Sequence, residues 1–153
     1  MSWISFDREA GIRVPAPAAN EGGHAHGYAA LGPAIEAHVM RLGLRAERFE
    51  ALYEAGRGVL LLSGCAESQD VRERIVLCCG NVHGVAAVED RMTVLMPSDV
   101  SRWRFVQPGD TLAAIAYDAY RDANRAPQLR AANQPLLGDT DQLQPGWLLR
   151  VPN

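Results

Sequence analysis

The sequence predicts an α+β protein: a small α-β-β-α-β unit followed by a β-α-α-β unit. Three observations carry this. Glycine and proline punctuate the chain at short intervals. Between them the apolar residues switch repeatedly between helical spacing and strand alternation. One short polar stretch, "PSDVS" at 97–101, then divides that pattern in two. The expected organisation is an N-terminal segment and irregular loop over 1–30, a first unit over 31–96, a linker over 97–101 and a second unit over 102–153.

Residues 1–13 carry Trp3, Ile4 and Phe6, too apolar for a free tail. The stretch "PAPAANEGGHAHG", 15–27, reads as a flexible loop or insertion. His24 and His26 lie inside it; a His-x-His pair can ligate a transition metal, but no third ligand is recognisable, so both read as solvated. From Pro33 a helix is expected, with Ile35, Val39 and Leu42 as its stripe, Met40 as a further candidate and Gly43 as its stop. "FEALYEAG" and "GVLLLSG" flank Gly56-Arg57-Gly58 and read as a hairpin, with strands at about 49–55 and 58–63. Ser68 caps a helix over about 69–79 that buries Val71, Ile75 and Cys78 or Cys79, and Gly80 stops it. Glu67 and Glu73 read as helix surface. "VAAVEDRMTVLM", 85–96, reads as one strand with Val88, Asp90, Met92 and Val94 on one face.

In the second unit "WRFV", 103–106, is a strand. "QPGDTLAAIA", 107–116, is a helix start: Pro108-Gly109 turns the chain, Asp110 is the expected N-cap, and Leu112, Ile115, Ala116 and Ala119 form one apolar face. "APQLRAANQPLL" holds a second helix, with Pro127 in its first turn and Pro135 beyond its end. After the "QPG" turn at 144–146, "WLLRVP" is the closing strand, expected to pair antiparallel with the first beneath both helices.

Composition bounds the function. The net charge is −3 and the pI near 5.8, against general binding to nucleic acid, which needs clustered positive charge. All fifteen basic residues are Arg. No apolar run approaches the ~20 residues of a membrane span. The start "MSWISFDREAGIR" lacks a charged n-region and apolar h-region, so a cytoplasmic location is expected. Cys65, Cys78 and Cys79 form no C-x-x-C pair; buried free thiols on or near a helix are expected.

The stretch "FVQPGDTLAAIAYDAY…QLRAANQPLL…DQLQPGWLLRVP" resembles a LysM domain over its whole length. LysM domains bind N-acetylglucosamine-containing glycans such as peptidoglycan in a shallow groove. Here the resemblance implies Gly109, Asp110, Thr111 and Leu112 facing Leu136, Leu137, Gly138 and Asp139. A neutral acetylated sugar needs backbone hydrogen bonds and a small apolar contact rather than charge. The first unit resembles a BON domain, most clearly along "SGCAESQDVRERIVLCCGNVHGVAAVEDRM". BON followed directly by LysM, after a start like "ISFDREAG", is similar to a bacterial family of cytoplasmic potassium-binding proteins. Residues 14–30 depart from that family's pattern and look longer.

The family resemblance implies K⁺ held by backbone carbonyls near the junction of the units, at Asp7, Ala10, Ile12, Gly80 and Val82, with a further one near Glu47. A hard monovalent cation takes oxygen ligands, and a ring of carbonyl dipoles can replace its hydration shell. Gly11, Gly80 and Gly84 would permit the turns this needs, with a positive φ expected at Gly80. Catalysis is the least supported class, because no nucleophile or acid–base pair has an evident orienting partner. The expected protein is a monomeric, non-enzymatic K⁺ binder whose LysM domain docks on the BON domain with the ion. The alternative is binding of peptidoglycan or muropeptide fragments through the LysM groove.

Overall fold

The computed structural model of the chain describes residues 2–15, 31–140 and 142–153. His24 and His26, and nearly all of the expected irregular loop, lie outside the described residues.

A five-stranded sheet forms the first half. Ser2–Ser5 (β1) pairs antiparallel with Ala87–Asp90 (β4), which runs parallel to Val59–Ser68 (β3), which pairs antiparallel with Ala46–Glu54 (β2). Thr93–Met96 (β5) continues the parallel ladder along the far end of β3. Leu31–Arg41 (α1) and Gln69–Gly80 (α2) are the helices of this half, and α2 is the crossover that parallel β3 and β4 require. Ile35 and Val39 of α1 and Ile75, Val76 and Cys79 of α2 bury against Leu60, Leu62 and Val88 of the sheet. Met40, a candidate for the α1 stripe, is instead exposed.

Two departures from the sequence reading have local causes. β1 joins the sheet where only an N-terminal segment was expected; four residues are too few to show strand periodicity. The single strand expected over 85–96 is two. Asp90 folds its carboxylate back to accept the Met92 N–H at 2.9 Å, and this breaks the ladder. Val88, Asp90 and Met92 nonetheless share burial, as alternation requires. β2 carries a bulge between Glu47 and Glu50, with Arg48 at φ 52. Opposite it stands Gly64 at φ 129, where a Cβ would approach the Glu47 carbonyl oxygen to 2.9 Å.

In the second half Arg102–Phe105 (β6) pairs antiparallel with Leu148–Val151 (β7). Between them run Leu112–Tyr120 (α3), a 3₁₀ turn at Ala123–Arg125 and Ala126–Ala132 (α4). The N-cap of α3 is Thr111, whose Oγ1 accepts the Ala114 N–H at 3.1 Å. Asp110, the expected cap, instead closes the preceding turn by accepting the Gln107 N–H at 2.8 Å. Leu112, Ile115 and Ala116 are buried as expected.

The two halves have separate core clusters, and α2 supplies both. Ile75, Val76 and Cys79 belong to the first, Leu77 and Cys78 to the second. β7 does the same in reverse: Leu148 sits in the first cluster and Leu149 in the second.

Candidate functional site

The end of α2 is where the N-terminal segment, the first half and the second half meet. Phe6 is buried, and its ring lies against Gly80. A Cβ at Gly80 would collide with that ring. Gly80 has no positive φ and is still helical; Asn81 is the C-cap, its N–H reaching the Leu77 carbonyl at 3.2 Å. The expectation of a left-handed stop at Gly80 is therefore corrected: glycine serves close approach there. Gly84, at φ 103, makes the turn that follows.

Residues 6–12 are stitched onto this turn. The Phe6 N–H donates to Ala86 O at 2.9 Å, Gly84 N–H to Arg8 O at 2.9 Å, Ile12 N–H to Asn81 O at 2.8 Å and His83 N–H to Ile12 O at 2.9 Å. Ile12 and Val82 thereby form an isolated parallel bridge. Gly11 lies so close to the backbone of Val82 and His83 that a Cβ would overlap it.

The second half closes the other side. Trp147 Nε1 donates to Ala10 O at 3.1 Å. Gly146, at φ 90, lies over Ala10 and Asp7, where a Cβ would come within 2.8 Å of Asp7 Oδ2. The Asn81 side chain pairs with the backbone of Leu148 in both directions at 2.8 Å. Further along α2, Arg150 of β7 donates from Nε to Glu73 Oε2 at 2.6 Å and from Nη1 to Asp70 Oδ1 at 2.7 Å. Glu73 also accepts from the Ser101 N–H and hydroxyl at 2.8 and 2.7 Å, and from Gln69 Nε2 at 3.1 Å. Burial alone would raise the Glu73 carboxyl, but those hydrogen bonds and the Arg150 charge outweigh it and hold it below its usual value. Glu73, read from sequence as surface, is 3% exposed.

Of the six expected carbonyl positions, Asp7, Ala10 and Ile12 lie on the segment that pairs with the turn after α2, Val82 lies in that turn, and Gly80 packs against Phe6. The carbonyls of Asp7, Ala10, Ile12 and Val82 each accept one N–H, from Ala10, Trp147, His83 and Val85. A carbonyl oxygen has two lone pairs, so each retains capacity. No described backbone N–H outside the helix donates to Gly80 O. This donor set, all neutral oxygen, suits a hard monovalent cation. Glu47 is not brought to it. Its partner in the ladder is Cys65, seven residues along β3 from Gly58, whose carbonyl accepts the Ala86 N–H beside the junction. That separation is roughly 20 Å. Among the described residues no three His, Cys, Asp or Glu side chains gather to hold a metal ion.

The expected sugar-binding residues are divided. Gly109 is exposed at the opening of α3, and Gly138 and Asp139 are exposed beyond α4. Leu112, Leu136 and Leu137 are buried in the second core. A cavity of about 410 Å³ joins Thr111, Leu112 and Ala113 to Ala126, Pro127 and Arg130 rather than to 136–139. Cys78 and Cys79 are buried free thiols, and Cys65 on β3 is partly exposed. Burial pushes the Cys78 thiol up to about 12 and that of Cys79 well above its ordinary value.

The sequence reading missed Asn81, Trp147, Arg150 and the burial of Glu73. For Glu73 a signal existed: it shares a helical face with Leu77, four residues on, which faces the second core. For Asn81 the signal was only its place after a helix end.

Residues 50–96 match the BON domain family model. Over 95 residues the chain is 36% identical to the potassium binding protein Kbp of Escherichia coli O6:H1. The match takes in 62% of this chain and spans 64% of the length of that relative. No helix among the described residues is long and apolar enough to cross a membrane. The central parallel crossover lies within the residues that match the BON model, and the chain is similar to Kbp over somewhat less than two thirds of either length.

Proposed function

We propose that the protein is a non-enzymatic potassium binder. The ion is held by carbonyls of Asp7, Ala10, Ile12, Gly80 and Val82, and the LysM-like second half docks as the ion orders the junction. The observation that carries this reading is the stitching of residues 6–12 onto 81–86. It brings the N-terminal segment into contact with the turn after α2, and Trp147 donates to that segment at Ala10 O. The name of the relative supports the choice of ion. The deeply buried, protonated thiols of α2 favour binding over nucleophilic chemistry. Glu47 forms no part of this proposal.

The test is thermal unfolding in KCl against NaCl at equal ionic strength. An ion that binds only the closed state stabilises it by RT ln(1 + [L]/Kd), ~2.7 kcal/mol at a hundredfold excess over Kd. For a chain of this size that raises Tm by about 5–11 °C. Gly11→Ala, which forces residues 11 and 82 apart, should remove the K⁺-specific part of the rise. Equal shifts in both salts, or a full K⁺ shift in Gly11→Ala, would refute the reading. Truncating residues 1–12 would be a poor test, since it also strips β1 from the sheet and Phe6 from the first core.

A second reading, binding of N-acetylglucosamine glycans by the second half, is favoured by the cavity at the start of α3. Ala113 is exposed and lines it, so Ala113→Arg blocks the cavity without entering the core. Sedimentation with peptidoglycan should fall in that variant; unchanged sedimentation removes the cavity from consideration.

A further inference from the structure

We infer that Asn81 is the positioning residue that couples the carbonyl cluster to docking of the second half, an inference that rests on the potassium reading above. Its backbone borders the proposed cluster without supplying a ligand to it. It lies between Gly80 and Val82, and its carbonyl accepts the Ile12 N–H at 2.8 Å. Its side chain belongs to the other half of the molecule. Nδ2 donates to Leu148 O and Oδ1 accepts the Leu148 N–H, both at 2.8 Å, so the amide acts as a strand partner for β7. The second Nδ2 proton goes to Leu77 O at 2.9 Å. Both donors are thus committed, one to α2 and one to β7, and the oxygen to β7. The residue is 3% exposed, so water does not stand in for either partner.

A comparison inside the protein sharpens the point. Two residues further along the same edge of β7, Arg150 is held by an identical pair of bonds from the Asn133 side chain, at 2.7 and 2.8 Å. Asn133 caps α4 and so belongs to the second half itself. The edge of β7 is therefore closed by two asparagines, of which Asn81 alone reaches across the junction. Trp147, the residue before Leu148, bonds Ala10 O in the N-terminal half of the cluster. Consecutive residues of the second half thus grip both segments that would surround the ion. A ligand that fixes the backbone of 80–82 and 10–12 fixes the groups that β7 docks on. By linkage, docking raises ion affinity by the same factor that the ion favours docking.

Cys78 supplies the readout. Its sulfur is buried in the second core, whereas Cys79 is buried in the first. Undocking therefore exposes Cys78 before Cys79, and Cys65 reports free reactivity. The full-length chain is alkylated with iodoacetamide in KCl or NaCl, each cysteine is read by peptide mass spectrometry, and K⁺ titrations are followed by NMR at residues 8–12. In the native chain K⁺ should slow Cys78 alkylation fivefold or more, at the low end of couplings between sites. In Asn81→Ala that factor should fall below twofold while residues 8–12 still titrate with K⁺. Asn81→Asp, which keeps the shape but loses both donors, should behave alike, so that a folding defect in one variant does not imitate lost coupling. Asn133→Ala should weaken the second half yet keep the K⁺ factor. Full K⁺ protection of Cys78 in both Asn81 variants overturns the inference. So does loss of the factor in Asn133→Ala to the same extent. If the native chain responds to K⁺ in neither readout, the potassium reading fails and this inference falls with it. If residues 8–12 of the native chain titrate but Cys78 does not respond, coupling alone is refuted.

Discussion

Arg150→Met tests the polar seam between the two halves. Methionine preserves the stem of the side chain and removes its charge. The arginine is 5% exposed and satisfies Glu73 Oε2 at 2.6 Å, Asp70 Oδ1 at 2.7 Å, and the Ser101 hydroxyl and Ala132 carbonyl at 3.2 Å. Asp70 survives the change well, because it is half exposed and keeps Arg74 at 2.7 Å. Glu73 does not. It retains the two Ser101 donors and Gln69, but its carboxylate is left buried without a counter-charge. Removing one member of a buried pair costs about 3–5 kcal/mol. At ~2–4 °C per kcal/mol for a chain of this size, Tm should fall by about 6–20 °C. The pH dependence has a definite sign. In the native protein the folded Glu73 carboxyl lies below its ordinary 4.5, so its stabilisation is complete above that value and is lost as pH falls through the folded one. Without Arg150 the smallest of the lowering causes is lost while the Ser101 and Gln69 hydrogen bonds remain, so the folded carboxyl moves up from its native position and the variant has less stability to lose on acidification. The difference between native and Arg150→Met should therefore narrow as pH falls below 4.5. Glu73→Gln with Arg150→Met removes both charges and should recover at least half the loss, as replaced buried pairs do. Urea unfolding across pH measures all three. A single-variant loss under ~1 kcal/mol, or a double variant no better than the single, would refute the reasoning.

Two further outcomes check the local assignments. Helix propensity alone would make Gly80→Ala stabilising by ~0.8–1 kcal/mol, but the collision with Phe6 predicts a loss of ~1–3 kcal/mol that disappears in a Phe6→Ala background; a gain in the native background, read by urea unfolding, would displace Phe6 from that role. Thr111→Ala should cost ~0.5–2 kcal/mol, more than Asp110→Ala, because Thr111 caps α3 while Asp110 closes the turn before it; the reverse order would return the cap to Asp110.

What was legible in the sequence is what local physics decides. The hairpin, the Ser68 cap, the α3 face and the closing strand follow from residues within a turn or two of one another, and period and punctuation reveal them. β1 was hidden by its length, and its place beside β4 is a pairing across more than eighty residues. The break at Asp90 depends on where one carboxylate turns, and alternation alone does not show that. Gly80 illustrates the limit best. A glycine after a helical run reads as a stop, yet its reason lies in Phe6, whose approach depends on β1. The candidate site came only from family resemblance, since carbonyl ligands carry no side-chain signature. Glu47, at the end of β2 away from Gly58, shows the cost: nothing in its own residue type places it at one end of that strand or the other.

The chemistry of the junction bears on whether docking can be controlled by a ligand. An apolar seam would be costly to expose, and its halves would stay together regardless of what bound nearby. Here the seam is mixed. Leu77 and Cys78 supply apolar area, but around them stand Glu73, Arg150, Asp70, Ser101, Asn81 and Arg74, the last donating to the Ala131 and Gln134 carbonyls at 2.8 and 2.7 Å. Water can satisfy each of these groups when the halves are apart. When they meet, the groups satisfy one another, and among the described residues no buried side-chain polar atom is left without a partner. Association of this kind exchanges one complete set of hydrogen bonds for another, and its net free energy is small compared with its contact area. On the potassium reading proposed above, an ion bound at the junction would add a few kcal/mol to that exchange. The seam is also specific. Glu73 left facing anything but Arg150 and Ser101 would be a buried unpaired charge, so partial or misregistered docking is penalised. A polar seam closed by one cross-junction asparagine is thus suited to contact between the halves that is unique in geometry.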